Sequence, residues 1–201
     1  MATREQAQPL LRPVRQHAPV LVGLLGGPHK ASVSIARHLP RWRRLTPLAS
    51  WTVINTTETS RAGILQGVAA VLDQRNVPPR RLVLLCEGDV ARLALELVLE
   101  RALDCAGILG VGVFRAALPS PIIPTAAAVR LVVHGQSQRT RDLISALHST
   151  DMDVRVIRFN SAAACDVSCA GEAAETFVLE LVATVGRQAC HGVRTDDVED
   201  I

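Results

Sequence analysis

Arg81-Leu82-Val83-Leu84-Leu85-Cys86-Glu87-Gly88-Asp89-Val90 is the stretch on which the fold reading turns. Its first half is a short, unbroken apolar run, the pattern of a strand buried on both faces. Its second half is a tight turn centred on Gly88. The turn leads directly into Ala91-Arg92-Leu93-Ala94-Leu95-Glu96-Leu97-Val98-Leu99, whose apolar residues recur at helical spacing. A buried strand feeding a helix through a glycine turn is half of a parallel crossover unit.

The same alternation extends in both directions. Val20 to Leu25 is apolar and closes on Gly26-Gly27-Pro28, which marks a strand and a turn. Ala31 to Leu39 is expected to be a helix stopped by Pro40, and Trp51 to Ile54 a second strand. Ile64, Leu65, Val68, Val71 and Leu72 fall on one helical face, which Pro78-Pro79 ends. The helix after the glycine turn is expected from Ala91 to about Ala102, a strand from Cys105 to Val111, and a proline-rich loop from Leu118 to Pro124. Val129 to Val133 runs into His134-Gly135, and Arg139 to His148 reads as a helix. Val154 to Phe159 alternates as an edge strand does, and Gly171 to Val185 forms a last amphipathic helix. The fold class is therefore α/β: a doubly wound, mostly parallel sheet with helices on both faces. One domain is expected over residues 18–190, with an extension at 1–17 and an acidic tail at 191–201.

Composition narrows the function. Hydrophobic residues make up 48% and charged residues 20% of the 201, so the chain can build a core and is not a disordered segment. A net charge of +3 is too small to argue for nucleic acid, and 2% aromatics leave no platform on which bases or sugars could stack. Of the 22 basic residues only Lys30 is lysine, and the arginines are scattered apart from Arg41-Trp42-Arg43-Arg44, read as a solvated helix end or loop. No signal peptide and no membrane-spanning run are legible, so a cytoplasmic location is expected. Five cysteines, Cys86, Cys105, Cys165, Cys169 and Cys190, are an odd set better suited to free thiols than to disulfides. Their spacing lacks the partners of a zinc site, and no metal or cofactor is expected.

The order of elements resembles the bacterial phospholipase/carboxylesterase branch of the α/β-hydrolases, from about Ala18 to about Gly186. The resemblance rests on Pro78 through Gly107, on Val129 to Gly135 and on Asp153 to Phe159, with the amino-terminal strands of the full fold reduced. It implies a nucleophile elbow, Gly-x-Ser-x-Gly, at the strand–turn–helix described above. The serine position falls on Gly88, which has no side chain. The implied acid position, three residues after the His-Gly pair, falls on Gln138, and the implied histidine position on Cys165. The oxyanion-side glycine turn is kept in part as Gly26 and Gly27. Acyl transfer by this route needs a nucleophile, a base and a group that orients the base; none of the three positions carries its residue.

Other residues near these positions carry groups capable of chemistry. Cys86 reads as a small buried hydrophobe more readily than as a nucleophile. Cys165, if it faced a pocket beside Glu87 or Asp89, would have its thiolate disfavoured. His134 reads as scaffold. Glu87 and Asp89 could act as a carboxylate pair, but Asp89 reads better as the cap of a helix starting at Val90; were it turned into the pocket, it would repel an oxyanion. The function expected is thus an inactive pseudo-esterase that binds a small molecule or a protein, with a homodimer left open. The alternative is a hydrolase, thioesterase or lyase using Cys165, Cys86, His134 or Asp89.

Overall fold

Two apolar strands at the centre organise the computed structural model, which describes residues 20–26, 37–56, 58–113, 122–134, 137–159 and 167–191, without the side chains of 134, 167–170 and 188–191. These strands are β1 (Val20–Gly26) and β3 (Leu82–Glu87). Around them lie β2 (Ala49–Asn55), β4 (Gly107–Val111), β5 (Ala128–His134) and β6 (Val154–Phe159), and the sheet order is β2-β1-β3-β4-β5-β6. Every pairing in this sheet is parallel.

A strand's alternate residues point to opposite faces, and β1 and β3 bury both. Leu21, Leu25, Leu82, Leu84 and Cys86 enter one core; Val20, Val22, Leu24, Val83 and Leu85 enter the other. The first core is covered by α2 (Arg61–Arg75), α3 (Gly88–Leu99) and α4 (Gln138–His148). The second is covered by α1 (Leu39–Leu45) and α5 (Val167–His191). The helices therefore lie on both faces, as the alternating pattern predicts. The central helix α3 buries Ala91, Ala94, Leu95, Leu97, Val98 and Leu99. At about 1.5–3 kcal/mol for each large aliphatic side chain withdrawn from water, this face holds the elbow firmly at the end of β3.

Pro40 does not end a helix here. It opens α1, standing in the first turn, where a residue without an N–H loses no hydrogen bond; the expected helix from Ala31 lies mostly outside the described residues. Within the basic cluster Trp42 is buried, while Arg41 reaches Glu175 on α5 at 2.8 Å. The long last helix is held by Arg130, which is 1% exposed in the middle of an apolar strand. Its guanidinium donates to both carboxylate oxygens of Asp153, at 3.1 and 2.8 Å, and to Glu180 on α5 at 2.7 Å. It also donates to the Asp153 carbonyl and stands 5.9 Å from the Phe177 ring centre. One buried cation thus ties β5, β6 and α5 together. No helix among the described residues is long and apolar enough to cross a membrane.

Candidate functional site

A wholly parallel sheet brings the carboxyl ends of all its strands to one edge. Successive strands β1 and β2 grow to one side, and the chain then crosses so that β3 lies on the other side of β1. The chain direction across the sheet reverses there, and in open α/β sheets the crevice at such a point is where ligands bind. The ends of β1, at Gly26, and of β3, at Glu87 and Gly88, flank that point.

Gly88 is the first residue of α3 and has φ +60°. That left-handed value costs an ordinary L-residue about 1–2 kcal/mol, and glycine escapes the penalty. A Cβ built on Gly88 would meet none of the described residues within 4 Å. The turn therefore has the strained shape that thrusts a side chain clear of the described residues, and it carries a residue with no side chain to present.

The neighbours are arranged differently from the sequence expectation. Asp89 does not cap a helix starting at Val90, because α3 begins two residues earlier with Glu87 in the capping position. The glycine turn is itself the helix start. Asp89 lies in the first turn with its side chain 85% exposed, 3.6 Å from the Arg92 guanidinium. There an acid is favoured by the helix dipole, and the carboxylate is turned to solvent and to Arg92. Arg92 also donates to the buried Glu96 at 2.9 Å. Glu87 is partly buried at the end of β3.

Gly26 is buried, and its carbonyl accepts from the backbone N–H and the hydroxyl of Thr56, at 3.2 and 3.0 Å. That contact fixes the carboxyl end of β2 against β1. Gly27 and Cys165 lie outside the described residues. His134 closes β5 opposite Phe159 of β6. Gln138 is the first residue of α4, behind the Ser137 cap, and its amide donates to Asp142 at 2.6 Å along its own helix. Gly88 and Gln138 thus occupy the same sheet edge, their strands separated by β4, a spacing of roughly 10 Å.

Cys86 is removed as a nucleophile. It is fully buried, with its Sγ 3.6 Å from the Leu109 carbonyl, and burial pushes its thiol far above the ordinary range, Cys105 adding a smaller push. Cys105 is likewise pushed up to about 12, first by burial and then by Asp104. Neither forms thiolate near neutral pH. Among the described residues no three His, Cys, Asp or Glu side chains converge as a metal site.

His38, which the sequence reading passed over, stands just before α1. It stacks on Trp42 at 5.6 Å, and its Nε2 is buried with no hydrogen-bond partner among the described residues. Gly171 of α5 packs so closely on this ring that a Cβ there would fall 2.0 Å from Nε2. Only the fold joins these two residues, 133 positions apart in the chain.

No family model matches the sequence, and no curated protein does. Solved structures do resemble it. Esterase PE8 superposes with a TM-score of 0.63 at 15% identity, over 82% of this chain and 93% of that one. FphF, a fluorophosphonate-binding serine hydrolase of Staphylococcus aureus, gives 0.61 at 11% identity, over 88% and 89%. A phospholipase/carboxylesterase from Dyadobacter fermentans gives 0.55 at 12% identity, over 84% and 93%. With six parallel strands among the described residues, helices on both faces and a glycine elbow after β3, the chain has the α/β-hydrolase fold.

Proposed function

We propose that this protein is a non-hydrolytic member of the α/β-hydrolase fold, which uses the crevice at the carboxyl ends of β1 and β3 to bind a small molecule or a protein segment rather than to cleave an ester. The observation that carries this reading is Gly88. The elbow keeps its left-handed φ, with no described residue within 4 Å of a Cβ there, and Gly88 has no atom that can attack a carbonyl. Covalent acyl transfer begins with that atom; a site without it can bind a carbonyl compound but cannot form an acyl-enzyme.

Two neighbouring features support the reading. Gln138 is an amide engaged with Asp142, so it supplies no charge to orient an imidazole. Cys86, two residues before the elbow, is buried with a raised thiol pKa and cannot substitute for the serine. The structural neighbours are described as esterases and serine hydrolases, and at 11–15% identity they speak for the fold alone. The test is hydrolysis of short-chain aryl esters and acyl thioesters by the purified chain, with rates expected at the buffer blank. Turnover that follows the protein through purification and is abolished by one substitution beside Gly88 would overturn the proposal.

A further inference from the structure

A cavity lies at the end of the sheet opposite the elbow. β1 begins there at Val20, and the turn from α1 into β2 runs past it from Leu45 to Leu48. α5 closes the far side with Leu179, Ala183, Gly186 and Arg187, which recur at three- and four-residue spacing along one helix face. The space exists because two of those four residues are small. A Cβ on Gly186 would meet only Val20 among the described residues, at an ordinary 3.7 Å. The cavity volume of about 430 Å³ falls within the range of about 300–1,000 Å³ typical of small-molecule sites.

The walls select the ligand. Thr46 is the one uncharged polar side chain among the lining residues, and its hydroxyl is already engaged. It donates to the Trp42 carbonyl at 2.8 Å and accepts from the Trp51 indole N–H at 3.1 Å. A sugar or polyol placed here would leave its hydroxyls unpaired, which is costly away from water. No acid is among the lining residues, and their one charge is Arg187, which is also exposed and so stands where the cavity meets water. Of the four exposed large hydrophobic residues among the described ones, two line this same cavity, Leu45 at 47% and Leu48 at 74%. An apolar space with one cation at its mouth is complementary to an aliphatic tail that ends in one anion.

We infer that this cavity binds a free long-chain fatty acid, its tail laid against Val20, Leu179 and the two leucines of the turn and its carboxylate at Arg187. Strand, turn and helix wall the space on three sides, so it receives a single chain rather than lying flat on a bilayer. The site is separate from the crevice beside Gly88 and does not depend on how that crevice is used.

Isothermal titration calorimetry on the full chain, with ligands kept below micelle formation, is the test. Octanoate, decanoate and dodecanoate should bind at one site, each added methylene tightening the complex by about fourfold. Dodecanol, with the same tail and no charge, should bind about fivefold more weakly, the scale of an exposed ion pair. Arg187→Gln should bring dodecanoate down to the level of dodecanol and leave dodecanol unchanged. Ala183→Phe, which fills the space, should abolish binding of both. Leu48→Glu, on a side chain already exposed to water, should weaken dodecanoate more than dodecanol, and it decides the matter if Ala183→Phe fails to fold. Three results would each overturn the inference. The first is no uptake of dodecanoate by the wild-type chain, the outcome if residues 1–19, which join β1 at Val20, hold the space. The second is binding unchanged by Ala183→Phe or by Leu48→Glu, which would place the site elsewhere, the crevice at Gly88 included. The third is equal affinity for dodecanoate and dodecanol.

Discussion

Replacing Gly88 with serine restores the missing oxygen at the elbow and tests both its geometry and its chemistry. At φ +60° the new side chain carries the left-handed penalty of about 1–2 kcal/mol. No clash with the described residues adds to it, because a Cβ there meets none of them within 4 Å. Removing a glycine also stiffens the unfolded chain, which returns about 0.4–1 kcal/mol. The net expectation is a loss of roughly 1 kcal/mol, or about 2–4 °C in Tm for a chain of this size. Urea unfolding and thermal melts of wild type, Gly88→Ser and Gly88→Ala should show the same small loss for both variants. A loss several times larger would mean that the space over the elbow is occupied, and a gain in stability that the left-handed turn is wrong. The chemical half is sharper. A serine without a base is a weak nucleophile, so Gly88→Ser is expected to hydrolyse aryl esters no faster than wild type. Clear activity from that one substitution would reveal a base beside the elbow and refute the reasoning from absent partners.

Arg130→Met removes the buried cation while keeping an apolar stem against Phe177. Because Asp153 and Glu180 are 54% and 25% exposed and can rehydrate, the expected cost is about 2–3 kcal/mol, at or below the usual range for a broken buried pair, measurable by urea unfolding. The hydrogen bonds from Arg130 hold the Asp153 carboxyl below its ordinary range, against a smaller opposing push from burial. A depressed carboxyl stabilises the fold above the unfolded value near pH 4 and loses that contribution as pH falls through the folded value. The gap between wild type and Arg130→Met should therefore narrow in acid, and a gap independent of pH would refute the pairing. Cys86 and Cys105, both buried with raised thiol pKa values, should take up iodoacetamide only after denaturation, as peptide mapping would show; modification of either in the native protein below pH 8 would contradict the core described here.

Most of the sheet was legible because its strands are written as apolar runs, and a strand buried on both faces needs little else. Val154 to Phe159 could even be recognised as an edge, since its arginines alternate with apolar residues. Helix starts were harder. Pro40 reads as a stop although it stands in the first turn of α1, and Gly88 reads as a turn before the helix although it is the helix's first residue. That misreading made Asp89 a cap when it is an exposed first-turn acid paired with Arg92. The Arg130 cluster was invisible because Glu180 lies 50 residues away, and nothing local marks an arginine within an apolar strand as buried. His38 was missed for the same reason, since Gly171 packs on its ring from 133 positions away in the chain. At the candidate site the residue types were legible and their conformations were not; the positive φ that makes Gly88 an elbow is a property of the fold.

Labelling with a fluorophosphonate probe, followed by intact mass and peptide mapping, tests the central claim most directly. The reagent phosphonylates a serine only where a base and an oxyanion site activate it. With glycine at the elbow, the account predicts that the wild-type chain keeps its unmodified mass under conditions that label an active esterase to completion. Stoichiometric modification of a single serine, blocked by prior denaturation, would show a working nucleophile elsewhere on the fold and contradict the account.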